Sequence, residues 1–177
     1  MSNIPKIFLL DTNVPITANR EKELASLPAD QVKCVENCVA VVKHIKNKGG
    51  LVLDSEDEIF EEYRRHLSLR GQPGVGDSFM KWLHDNRWNF PSENIVGITK
   101  IGESYTSFPD HPDLTKFDPS DKKFVAVANA HPDKPPILQA TDSKWWGWQK
   151  ALSECGIAVQ FLCPDYAEKK YREKMER

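Results

Sequence analysis

Short apolar runs alternate along the chain with longer stretches of helical period. Residues 6–10 (KIFLL) form an apolar run that ends at Asp11, as a buried strand would. A charged, helix-prone stretch follows. Over 30–48 the apolar positions Val35, Cys38, Val39, Val42 and Ile45 recur at helical spacing, and Gly49-Gly50 supply the stop. Residues 51–53 (LVL) predict a second short strand, after which Ser55 opens a helix that runs on towards Gly71. The glycines and proline of 71–76 (GQPGVG) predict a loop, with a short helix over 77–85 beyond it. Residues 95–98 (IVGI) read as a strand, and 103–117 (ESYTSFPDHPDLTKF) as an irregular excursion. A further helix starts at Asp118-Pro119-Ser120-Asp121, turns Phe124, Val125, Val127 and Ala128 inward, and ends near Pro132. A strand over 137–140, a helix over 144–155 stopped by Gly156, and a strand over 157–162 complete the series. The C-terminal AEKKYREKMER reads as a solvated helix or frayed tail.

Strands that alternate with helices of this length predict an α/β fold, because each parallel strand pair needs a crossover that lays a helix on the sheet. The expectation is a three-layer α/β/α sandwich around a central, mainly parallel sheet. The length of 177 residues suits one domain over 1–177, with an irregular excursion around 71–117. No run approaches the roughly 18 apolar residues of a membrane helix. The N-terminal MSNIPKIFLLDTN reaches charge before a secretory apolar region forms, so a cytoplasmic protein is expected. A net charge of −2 excludes a globally basic nucleic-acid trap, leaving local patches or bound cations to hold any polyanion. Cys34, Cys38, Cys155 and Cys163 are too few and too scattered for a disulfide framework and contain no CxxC pair, so reduced thiols are expected. Cys34 and Cys38 stand at i and i+4 on one helix, where packing is the ordinary role of buried cysteine and a metal site the rarer one.

Ligands of open α/β sheets bind beyond the carboxyl ends of the strands. There the chain places Asp11 and Asp54 at strand ends, Glu62 two turns into a helix, Asp121 at a helix start and Asp142 after the strand ILQA. Any one of these alone reads as a turn or cap residue. Asp118 as N-cap, Pro119 as first helical residue and Asp121 in the first turn make such a cap, and the helix dipole likewise accounts for Glu56, Asp57 and Glu58.

The segments FLLDTNV, IFEEY, DKKFVAVA and ILQATDSKW, in that order, resemble the four-part acidic pattern of the PIN-domain nucleases, and the likeness spans nearly the whole chain. The resemblance implies a divalent-metal-dependent endonuclease that hydrolyses phosphodiester bonds, most often in RNA, leaving a 5′-phosphate and a 3′-hydroxyl. It implies Asp11, Glu62, Asp121 and Asp142 as catalytic metal ligands. Asn13 would orient Asp11 or the scissile phosphate, with Glu58 and Glu61 as rivals of Glu62. Hard oxygen donors suit magnesium or manganese. Lys122 and Lys144 adjoin the acids as candidate contacts to substrate, as does Lys123, and Arg64 and Arg65 flank Glu62. Single-stranded or structured RNA is the expected partner, with DNA, a cognate inhibitor protein and a second copy of the chain as further candidates. Two positions depart from the pattern: Ala140 stands where the family often has threonine, and Lys144 where some members carry a further acid. Asp118 lies near enough in sequence to compensate.

Other readings fit less well. An aspartate-nucleophile phosphohydrolase would need a second Asp where Asn13 stands. GQPGVGD lacks the Gly-Lys-Ser/Thr ending of a phosphate loop. The five histidines form no HExxH and no close pair. Trp145, Trp146 and Trp148 are placed to stack bases, but their helical spacing favours a core role. A PIN-like module without catalysis, binding RNA or protein, is the remaining alternative.

Overall fold

The computed structural model describes residues 3–177; Met1 and Ser2, the start of the N-terminal segment read above as no leader, lie outside the described residues. The strands are β1 (Leu9–Leu10), β2 (Leu53–Asp54), β3 (Ile95–Val96), β4 (Lys100–Ile101), β5 (Ser104–Tyr105), β6 (Ile137–Gln139) and β7 (Val159–Phe161). The helices are α1 (Asn13–Ala18), α2 (Ala29–Lys48), α3 (Glu58–His66), α4 (Val75–Asn86), α5 (Lys122–Ala130), α6 (Ser143–Glu154) and α7 (Pro164–Met175). The protein is thus a mixed α/β fold, and none of its described helices is long and apolar enough to cross a membrane.

A parallel three-stranded sheet in the order β1-β6-β7 forms its centre, with Leu9 opposite Ile137 and Leu138 opposite Gln160. Beside it β2 and β3 pair in parallel. A parallel bridge joins the two groups: Phe8 N–H donates to Gly50 O at 3.0 Å and Val52 N–H to Phe8 O at 2.9 Å. Every one of these connections is a crossover, as parallel neighbours require. The apolar runs KIFLL and LVL are buried because helices cover them. Phe8, Leu9, Leu10, Leu51 and Leu138 have essentially no exposure. α5 lies against β1 and β6 and touches α3, whereas α1, α2 and α4 pack on one another and α6 packs on α7.

The helices predicted over 30–48 and 144–155 hold to within a residue, since α2 stops at Gly49 (φ 75°) and α6 ends just before Gly156 (φ 79°). Others shift for local reasons. α3 opens at Glu58, not Ser55, with Asp57 in the N-cap position; the Asp54 carboxylate at the end of β2 accepts the N–H groups of Glu56, Glu58 and Ile59 at 2.9–3.0 Å and so holds the turn and the first N–H groups of the helix. α3 ends at His66, where Leu67 turns extended, well before Gly71. The excursion contains a β4–β5 hairpin, turned at Gly102 (φ 59°), that two-residue strands could not announce.

α4 begins inside the predicted loop. Gly74 is its N-cap, and Asp77 returns a carboxylate to the Gly74 N–H at 3.0 Å. Gly76 sits in the first turn because α1 passes directly over it: a Cβ there would lie 2.0 Å from Pro15 O. Backbone cannot yield as a flexible side chain does, so Gly76→Ala is expected to destabilise the protein by about 2–3 kcal/mol, read as a lower urea midpoint at unchanged slope.

The expectation of reduced thiols is corrected for two of the four cysteines. Cys34 on α2 and Cys163 at the start of α7 form a disulfide with Cα atoms 5.2 Å apart, while Cys38 and Cys155 are free. The partners are 129 residues apart, and only the packing of α2 beside the end of β7 brings them together. No spacing rule within the sequence reaches that far.

Candidate active site

Parallel pairing of β1 with β6 sets two acids at the carboxyl edge of the sheet. β1 runs into Asp11, whose N–H still bonds Leu138 O at 3.0 Å, and β6 runs through Ala140 and Thr141 into Asp142. Asp11 is 4 % exposed, and its Oδ2 accepts the Asn13 N–H at 2.9 Å. Asp142 caps α6 by accepting the Lys144 N–H at 3.0 Å. Asp121 ends the short 3-10 turn Pro119–Asp121 ahead of α5, a turn capped by Asp118 as expected, and its Oδ2 accepts the Trp145 indole N–H at 3.3 Å. Capping explains the position of Asp118 and Asp142, but not the proximity of three acids.

That proximity is electrostatically costly. Burial, then Asp121 and Asp142, hold the Asp11 carboxyl well above the usual carboxylate range, against the opposing Asn13 N–H. Burial, then Asp118 and Asp142, push Asp121 up to about 7, with Glu62 adding to the effect. Among the described residues no ion pair engages Asp11, Asp121 or Asp142. Two buried polar atoms beside them, Thr12 Oγ1 and Gln139 Nε2, have no hydrogen-bond partner. The Gln139 amide lies close enough to Asp11 to favour its charge without making a bond of good geometry.

Glu62 differs from the other three. It is buried on α3, facing Asp121, whereas Glu61 is exposed and pairs with Arg64 at 3.5 Å, and Glu58 turns to Tyr105 Oη at 3.3 Å. Yet Glu62 is neutralised: Lys123 Nζ and Arg65 Nη1 each stand 2.8 Å from Oε2, and His66 Nε2 stands 3.4 Å from Oε1. Although burial opposes it, the Lys123 hydrogen bond and charge hold this carboxyl below the usual range. Tyr63, one residue on, fixes the helix to β1 by donating its hydroxyl to Leu10 O at 2.5 Å.

The expected substrate contacts divide. Asn13 Oδ1 accepts from the Thr141 hydroxyl and, at 3.4 Å, from Thr17 Oγ1, so its side chain clamps the ends of β1 and β6 together. It also lines a cleft of about 190 Å³ with Thr17, Arg20, Gln31, Thr141 and Tyr166. Lys122 lies over the Phe108 ring, 5.0 Å from its centre, and Lys144 pairs with Asp118 at 3.5 Å. Both lysines are therefore already partnered, and Asp118, near enough to Asp121 to raise its proton affinity, is itself paired with Lys144. Trp145 is fully buried, with its ring edge-on to Phe117; Trp148 packs on Phe117 and Trp146 on Phe161, so the core role prevails for the group.

Lys123, expected among the contacts to substrate, is instead the buried cation beside Glu62. Its signal is present in DKKFVAVA: an apolar run with no polar face must be covered on all sides, so a lysine in its first turn is covered as well. The oxygen donors suit a hard divalent ion. They form an open set: among the described residues, only Cys34, Cys38 and Cys163 bring three candidate ligand atoms within 4.8 Å of one another. An ion here would keep several waters or substrate oxygens, as magnesium ordinarily does. No protein family, curated protein or solved structure matches the chain.

Proposed function

We propose that the protein is a metal-dependent endonuclease, most naturally a ribonuclease, with a PIN-like three-layer arrangement in which the sheet presents Asp11, Asp121 and Asp142 with Glu62 behind them. The observation that carries this reading is the gathering of three buried or half-buried carboxylates without a protein cation at the carboxyl edge of a parallel sheet. Such a cluster stabilises nothing by itself, because each charge raises the proton affinity of the next. It becomes favourable when a divalent cation is bound.

Asp11, Asp121 and Asp142 would hold magnesium or manganese, with Glu62 reaching it through water or after exchanging Lys123. The bound ion supplies an activated water and neutralises charge developing on the phosphate. Asn13, through its N–H, keeps Asp11 aimed, and through its side chain keeps the Thr141 turn against it. The Trp145 indole fixes the rear of Asp121, and the Gln139 amide lies close enough to Asp11 to favour its charge. The cleft bounded by Arg20, Gln31 and Tyr166 opens beside the same turn and offers a cation and an aromatic face to a single strand.

A specific observation favours a second reading. Lys123 already supplies Glu62 with a buried counter-charge, as in a module whose acids have passed from metal binding to structure. Incubating the purified protein with end-labelled single-stranded RNA and DNA in magnesium, manganese or EDTA separates the two. Cutting that requires the metal and prefers RNA is expected; RNA retained intact under all conditions by folded protein transfers the assignment to a binding module.

A further inference from the structure

We propose that Cys34, Cys38 and Cys163 form a redox-gated, three-thiolate site for a soft metal ion of the copper(I) class. The inference is independent of the carboxylate site. Cys34 and Cys38, four apart on α2, project onto one face of the helix, and Cys163 meets them from the start of α7. Their three sulfurs lie within 4.8 Å of one another, and the residues are only 4, 0 and 6 % exposed.

A cysteine cluster this tight and dry has few uses. Packing alone asks for no convergence of three sulfurs from two distant parts of the chain. The Cys34–Cys163 bond uses two of them and leaves the Cys38 thiol against it. Sulfurs arranged trigonally around an ion at a metal–sulfur distance of about 2.3 Å stand about 4 Å apart; Cys38 already lies within 4.8 Å of both others, so only the bonded Cys34–Cys163 pair has to part on reduction. Soft thiolate donors select copper(I) or zinc, but a closed zinc site wants four ligands. Among the described residues no fourth cysteine, histidine or acid joins the group, and three-coordination is the natural state of a monovalent soft ion.

The disulfide makes binding conditional. A dithiol reductant must deliver two electrons and two protons to the Cys34–Cys163 bond, becoming a disulfide itself, before three thiols are available. Metal binding then replaces S–H by S–Cu bonds and passes the displaced protons to solvent. Cys34 and Cys163 line a groove of about 540 Å³ between α2 and the end of β7, which gives the reductant and the ion a route in. Oxidised protein keeps its bond and has no site.

The test uses the full chain under anaerobic conditions, with copper(I) delivered from a chromogenic chelator. Reduced wild type is expected to take one ion from the chelator and develop sulfur-to-copper charge-transfer absorption. Oxidised wild type should take none, and Cys38→Ser should weaken binding at least tenfold while Cys155→Ser leaves it unchanged. Circular dichroism checks that each form is folded. The proposal is overturned by reduced, folded wild type that leaves the ion with the chelator, by Cys38→Ser binding as wild type does, or by a chain that unfolds on reduction before any metal is added. The reduced and oxidised wild types decide the matter even where a variant fails to fold. Tight one-to-one zinc binding with no copper(I) binding would also overturn it, because it requires a fourth ligand.

Discussion

Asp11→Asn is expected to lower metal-dependent RNA cleavage at least about a hundredfold, the scale on which removal of one well-placed electrostatic group acts, and at the same time to stabilise the metal-free protein above pH 7. The asparagine keeps an oxygen for the Asn13 N–H and removes the charge that Asp121 and Asp142 oppose. The pH dependence follows from the same cluster. Asp11 and Asp121 are acids whose folded pKa values lie above their unfolded ones. In the range between, the folded state holds more protons, so the stability of metal-free wild type is fullest below about pH 4 as far as these groups decide it and declines as pH rises through about 7. Glu62 acts oppositely, its contribution being present above its ordinary range and lost in acid. The melting temperature in EDTA should therefore fall between pH 5.5 and 8 in wild type, fall less in Asp11→Asn, and recover in wild type when manganese is added. Each kcal/mol moves it by about 2–4 °C in a chain of this size. A variant that melts lower than wild type at pH 8 in EDTA would make Asp11 a structural residue and remove the main support for the metal reading.

Lys123→Met should have the largest effect on stability of any substitution near the site. Its ammonium is 6 % exposed and faces a carboxylate that is 8 % exposed, so its removal leaves a buried charge. Breaking a buried pair from one side costs about 3–5 kcal/mol. The lower end is expected, because Arg65 remains 2.8 Å from the same oxygen. The double variant Lys123→Met, Glu62→Gln should recover most of the loss, which a thermodynamic cycle on urea midpoints would measure. Divalent ions give a sharper readout. If Glu62 belongs to the metal site, Lys123→Met should bind manganese more tightly than wild type, since the ion no longer competes with the lysine. Unchanged manganese affinity would confine Glu62 to a structural pair and leave three acids at the site.

The periodicity of the apolar residues sufficed for the fold class and for nearly every helix, because each strand and helix carries its own local pattern. It did not suffice for the strand partners. β1 lies beside β6 and is only bridged to the chain at Leu51, a choice made by packing among runs that look alike in sequence. The site was legible to the same degree. Asp11, Asp121 and Asp142 stand out by their places at element ends; Glu62 stands out by the match of IFEEY to the PIN-like pattern, and it is the buried acid of its helix, with Glu61 exposed and Glu58 half-buried. Hidden were the attachments: the Lys123 counter-charge, the Asn13–Thr141 clamp and the Cys34–Cys163 bond, all of which join residues more than 60 positions apart. Side-chain pairing at that distance leaves no trace in spacing.

The pairing of β1 with β6 also orders events in time. As the chain emerges from the ribosome, Asp11 appears first, and Phe8 can meet Leu51 early, but the in-register partner of Leu9 and Leu10 is not made until residues 137 and 138 exist. Such distant pairing is slow to close, and domains tend to fold as whole units once their last essential segment is available. Asp142 follows that segment directly. The carboxylate cluster therefore assembles only after residue 142 has been made, and a chain that stops at β5 cannot hold whatever the cluster binds.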